Sequence, residues 1–129
     1  MANLQTKQAV TADVARITEP AIITDLRSLR EEERNTADPI TPRAFSDAMA
    51  LLEFAHLVLD DLPRTLLVPD GEGGIGIEWF REDRSVRVII PARPEQPAYI
   101  YQRVGPESDI MPFSKSSVIQ TLRSIILAP

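Results

Sequence analysis

A chain of 129 residues, 43% hydrophobic and 26% charged, has the size and composition of a single globular domain with its own core, and a net charge of -5 argues against direct binding of nucleic acid, which needs clustered Lys and Arg. The absence of cysteine and the presence of one histidine exclude disulfides, thiolate catalysis, sulfur-ligated zinc and all-histidine metal sites. No apolar run approaches the roughly 20 residues that span a bilayer, and "MANLQTKQAV" lacks the apolar stretch of a secretory signal, so a cytoplasmic protein with no membrane partner is expected.

Residues 1–18 place Val10, Val14 and Ile17 at helical spacing but carry too few apolar side chains to offset the cost of ordering a chain, about 1–2 kcal/mol per residue. They read as a mobile arm ahead of one domain over residues 19–129. A helix is expected from Pro20, which suits a first turn, with Ile22, Ile23, Leu26 and Leu29 as its apolar stripe and a charged end over Arg30 to Arg34. Pro39 then breaks it.

Thr41 followed by Pro42 is a second helix start, a hydroxyl cap and then a proline whose missing N–H costs nothing there. Phe45, Ala48, Leu52, Ala55 and Leu59 recur at helical spacing, and Ala44, Leu51 and Val58 widen the stripe into the face of a central helix reaching about Asp60. Residues 44 to 72 hold one arginine against six acidic residues, so the negative excess sits on this helix and the loop after it. That balance favours basic partners.

Beyond "DDLP" the period changes from helical to alternating. "RTLLV", "GIGIEWF", "SVRVIIP" and "AYIYQRV" read as strands, and "REDR" and "ARPEQP" have the length and composition of hairpin loops. Ile75, Ile77 and Trp79 point to one side of their strand, and Gly76, Glu78 and Phe80 to the other. Tyr99 and Tyr101 share a side with Arg103. Ser114 then caps a last helix, with Phe113 and Val118 as a hydrophobic staple and Val118, Ile119, Leu122, Ile125 and Ile126 as its stripe. The fold class is α+β: a three- or four-stranded antiparallel meander covered on one face by the central and C-terminal helices, with the N-terminal helix at an edge or end.

The segment "PDGEGGIGIEWF" offers the first candidate chemistry. A phosphate-cradling loop needs a lysine and a following helix, and a dinucleotide fingerprint needs another glycine spacing; here a strand follows, so the glycines serve a turn, and Gly76 leaves room for a neighbouring aromatic. Glu78 as a general acid has no visible partner. Asp60 and Asp61 with Asp70 have magnesium-ligand chemistry but read as a solvated turn, and His56 with Glu53 or Asp60 reads as a histidine at the margin of the core. No cofactor is expected.

The order of central helix, "DDLP", "GGIGIEW", a valine-rich strand and "YIY" resembles a family of small uncharacterised bacterial proteins over about residues 36 to 104. The resemblance is carried by Gly73, Gly74, Ile75, Ile77, Glu78 and Trp79, and "ADPIT" before the helix also resembles that family. Where the family has a tryptophan-glycine segment upstream, this chain has "REEERN". Some members lie near toxin–antitoxin or defence genes, so the resemblance implies an accessory or neutralising role and carries over no catalytic residue.

A sheet covered on one side bares an aromatic whichever face is free, and such a surface marks a contact site. The candidates for partner contact are Trp79, Phe80, Glu78, Tyr99 and Tyr101. The expected function is a non-enzymatic protein-binding module, antitoxin-like, immunity-like or an accessory subunit, that meets a protein partner through the free face and the N-terminal arm. Two alternatives stand beside it: a small hydrolase-like enzyme with an acidic pocket around His56, Asp60, Asp61 and Glu78, and a homodimer in which two free faces meet.

Overall fold

The described residues, 19–128 of a computed structural model, run α1 (Ala21–Glu33), α2 (Pro42–Val58), β1 (Thr65–Pro69), β2 (Ile75–Arg81), β3 (Arg84–Ile90), β4 (Tyr99–Val104), β5 (Glu107–Pro112) and α3 (Lys115–Thr121). A wider π turn, Leu122–Ile126, continues α3. The expected arm over residues 1–18 lies outside the described residues.

The helix α1 starts just after Pro20 with no side-chain cap, whereas α2 and α3 each start on a hydroxyl cap. Thr41 accepts from the Ala44 backbone N–H at 3.2 Å, with Pro42 in the first turn. Ser114 accepts from the Ser117 N–H at 3.0 Å. Thr41 and Arg43 also hold the start of α2 to the sheet: the Thr41 hydroxyl donates to the Ala92 carbonyl at 2.9 Å, and Arg43 donates to the carbonyls of Pro91 and Arg93 at 2.6 and 2.8 Å. Ala44, Ala48 and Ala55 on the buried side of α2 let the helix lie close to the strands.

The five strands form one antiparallel sheet in the order β1-β2-β3-β4-β5. The fold is thus α+β with a meander, as the alternation predicts, but of five strands. The fifth follows Gly105, whose φ of 57° suits the first central position of a two-residue hairpin loop between Val104 and Glu107. The three helices among the described residues serve one face. Ile75, Ile77, Trp79, Val86, Val88, Ile90 and Ile100 meet Leu51, Leu52, Val118 and Leu122 in a core whose larger aliphatic side chains contribute about 1.5–3 kcal/mol each. The helix α1 lies against α2 and the β1 edge, adding Ile23 and Leu26 to that core.

The end of the chain is held by two arginines from the sheet. Arg81 donates to the carbonyls of Ile126, at 3.0 Å, and Ala128, and Arg84 donates to that of Ile125 at 3.3 Å. Those of Ile125 and Ile126 are carbonyls that the end of a helix leaves without intrahelical partners, and that of Ala128 lies just beyond it.

Candidate functional site

Side chains alternate along a strand, so burying Ile75, Ile77 and Trp79 under the helices turns Gly76, Glu78 and Phe80 to the opposite side. The register then builds three rows across the sheet. Leu66, Glu78, Arg87, Tyr101 and Ile110 stand side by side in the first; Val68, Gly76, Ile89, Tyr99 and Pro112 form the second; Phe80, Ser85, Arg103 and Ser108 form the third. Phe80 is 50% exposed and Ile110 63%, with Leu66, Val68 and Tyr99 also exposed. No described element covers this face.

At its centre Glu78 and Arg87 form an ion pair across β2 and β3, the carboxylate side chain 12% exposed and the guanidinium side chain 48%. Arg103 donates from Nε to the Gly105 carbonyl at 2.9 Å. A shallow depression of about 330 Å³ lies between Arg87, Arg103, Tyr99 and Tyr101, rimmed by Phe80 and Ile110. The surface can offer aromatic and aliphatic contact area and two cationic forks, and it has no group poised to activate a nucleophile.

Four of the five sequence candidates for contact, Glu78, Phe80, Tyr99 and Tyr101, share this face. Trp79 does not. It is fully buried on the helix side, where its indole N–H donates to the Thr65 hydroxyl at 2.8 Å. The strand phase that bares Glu78 requires this, so Trp79 is corrected from a contact residue to a core residue. Sequence reasoning missed Ile110, because β5 has no apolar alternation, and missed Leu66 and Val68, whose phase in "TLLVP" becomes legible only against Trp79.

The four residues of the supposed acidic pocket do not form one. His56, Asp60 and Asp61 line a groove of about 610 Å³ with Asp25 and Arg64, between α1 and the segment leading into β1. Glu78 stands on the other side of the sheet. His56 has no carboxylate hydrogen-bond partner among the described residues, so nothing there orients an imidazole for proton transfer. Asp70 is also apart from Asp60 and Asp61: its carboxylate accepts from the N–H groups of Glu72 and Gly74 at 2.7 and 2.9 Å, closing the glycine loop. Among the described residues no three His, Asp or Glu side chains are grouped to hold a metal ion, and no helix is long and apolar enough to cross a membrane.

The chain matches no family model, no curated protein and no solved structure with which it was compared.

Proposed function

We propose that this chain is a non-enzymatic protein-binding module, of the antitoxin, immunity-protein or accessory-subunit kind, that meets its partner through the bare face of the sheet. The observation that carries the reading is the row Leu66, Glu78, Arg87, Tyr101, Ile110, which sets exposed apolar side chains around an ion pair across all five strands. A solvated sheet face is normally polar, and exposed apolar and aromatic side chains gathered on one face mark a place of contact. The resemblance to small bacterial proteins near toxin–antitoxin genes supports the same reading, and the net charge of -5 favours a partner that is basic overall.

Affinity capture from the native cell, with the bound proteins identified by mass spectrometry, tests it. A genuine partner is lost when Phe80→Glu and Ile110→Glu place charges on the face, and is retained when His56→Ala, Asp60→Asn and Asp61→Asn alter the groove. The reverse pattern would reject the binding face and favour the enzyme. Sedimentation of the isolated chain at micromolar concentration tests self-association: a dimer dissolved by the same two face variants would make a second copy the occupant.

A further inference from the structure

We propose that the depression between Arg87 and Arg103 receives the carboxylate of an extended, apolar-flanked acidic segment of the partner protein; this rests on the binding-face reading above. Arg87 lies opposite Tyr101, and Arg103 opposite Ser85, so the two arginines are diagonal neighbours on β3 and β4, about 7–8 Å apart at the backbone. Both are held by their inner nitrogen. The Nε of Arg87 is paired with Glu78, and that of Arg103 donates to the Gly105 carbonyl at 2.9 Å. Among the described residues neither terminal fork has a carboxylate or carbonyl acceptor of its own. Two anchored guanidinium groups with unused N–H donors, beside the tyrosines, suit carboxylate oxygens.

The charge of the face has the opposite sign to that of the molecule. Its three rows carry Arg87 and Arg103 against Glu78 alone, on a chain of net -5. Glu78 is already engaged with Arg87. A basic segment would meet two like charges here, whereas an acidic one completes the set; the acidic residues that favour a basic partner at long range lie elsewhere. Two cations are too few for a nucleic-acid backbone, whose binding draws on many phosphate contacts, and the net charge opposes it.

The width of the surface selects a peptide over a small anion. From Leu66 on β1 to Ile110 on β5 the row crosses four inter-strand spacings, about 19 Å, which is the length of an extended segment of about six residues. A central acid would sit between Arg87 and Arg103, with apolar side chains over Ile110 on one side and over Phe80 and Leu66 on the other.

Two synthetic peptides of equal length test this by nuclear magnetic resonance on the full labelled chain: acetyl-Leu-Val-Glu-Asp-Phe-Leu-amide and its counterpart with Gln and Asn in place of the two acids. The acidic peptide should shift the Nε resonances of Arg87 and Arg103 and the β2–β4 amides saturably, and should bind about tenfold or more tightly than the neutral one. Arg103→Gln, which leaves the Glu78–Arg87 pair intact, should remove most of that preference, and Arg87→Gln with Arg103→Gln all of it. Equal binding of the two peptides would overturn the acidic assignment and leave the binding face standing. Stronger, saturable shifts with an eight-nucleotide oligouridine would overturn both. If neither peptide moves these resonances the acidic assignment falls, and the capture experiment with Phe80→Glu and Ile110→Glu judges the face on its own.

Discussion

Glu78 on β2 stands directly opposite Arg87 on β3, and the two form an ion pair whose members differ fourfold in exposure, 12% for the carboxylate side chain and 48% for the guanidinium. That difference makes the pair asymmetric to mutation. Arg87→Ala leaves a mostly covered carboxylate without its partner, at a cost of about 1–3 kcal/mol, whereas Glu78→Gln leaves a guanidinium that water can serve, at a cost below about 1 kcal/mol. Urea unfolding of the two variants measures the order. Equal effects would mean that water reaches Glu78 as freely as Arg87.

Trp79 and Thr65 form the matching link on the covered side. The indole N–H is in the core and donates to the Thr65 hydroxyl, which in turn donates to the Pro63 carbonyl at 2.9 Å. Thr65→Val keeps the shape and removes the acceptor, so it should cost about 1–3 kcal/mol, while Thr65→Ser should cost much less. In the Trp79→Phe background there is no indole N–H to satisfy, and the penalty of Thr65→Val should shrink. A double-mutant cycle on thermal unfolding gives the coupling, expected at about 0.5–3 kcal/mol.

Much of the fold was legible because period and caps agree. The stripe from Val118 to Ile126, the cap at Thr41 and the alternation of Ile75, Ile77 and Trp79 each specify an element that the structure contains. What escaped was set by tertiary pairing. In β5, Glu107 to Ile110 are exposed and Met111 alone packs against the core, so hydrophobicity carried no signal; the readable mark was Gly105–Pro106 as a two-residue loop. The site was half legible for a related reason. Alternation told which residues share a face, while the choice of bare face depended on where the helices settle, and that choice buried Trp79. Arg43, a charged residue outside the apolar stripe of α2, holds the loop after β3, because a long side chain at the first turn can reach backbone carbonyls that no periodicity reveals.

Two glycines of "GEGGIG" should respond in opposite directions to the same substitution. Gly73 has a φ of 91°, and a Cβ there would stand 3.1 Å from both the Ala92 Cβ and the Thr41 Cγ2, so Gly73→Ala combines left-handed strain with crowding against the start of α2. A loss of about 2–4 kcal/mol is expected. At Gly76 the nearest side-chain atom to a new Cβ is the Ile89 Cδ1 at 3.7 Å, so the space expected for an aromatic is bounded by an isoleucine and admits a methyl group. Gly76→Ala should be neutral or stabilising by up to about 1 kcal/mol, since alanine loses less freedom on folding. Denaturant midpoints of the two variants decide it, and a destabilising Gly76→Ala would show that the bare face is more tightly packed at Ile89 than the structure has it.

The hairpin between β2 and β3 turns on Glu82, the one residue other than glycine with positive φ among those described, at 56°. It occupies the first central position of a two-residue loop closed by Arg81 and Arg84, a place where glycine is favoured because a side chain crowds the following carbonyl. Left-handed backbone costs an L-residue about 1–2 kcal/mol, and glycine gives back about 0.5–1 kcal/mol through the greater freedom of its unfolded chain. Glu82→Gly should therefore stabilise the protein by about 0.5–1 kcal/mol and raise its melting temperature by about 2–6 °C. Glu82→Asn should fall between the two, because asparagine tolerates this conformation better than glutamate, and Glu82→Val should lower the melting temperature because a β-branched side chain tolerates it worst. The neighbouring contact, the Gly105 N–H donating to the Asp83 carbonyl at 3.0 Å, is made by backbone and should survive all three changes. Phe80 and Ser85 sit just inside the same hairpin on the bare face, so partner capture by Glu82→Gly should match that of the parent chain. A stabilised variant that had lost its partner would show that the strained turn, and not only the rows of side chains, sets the geometry of contact.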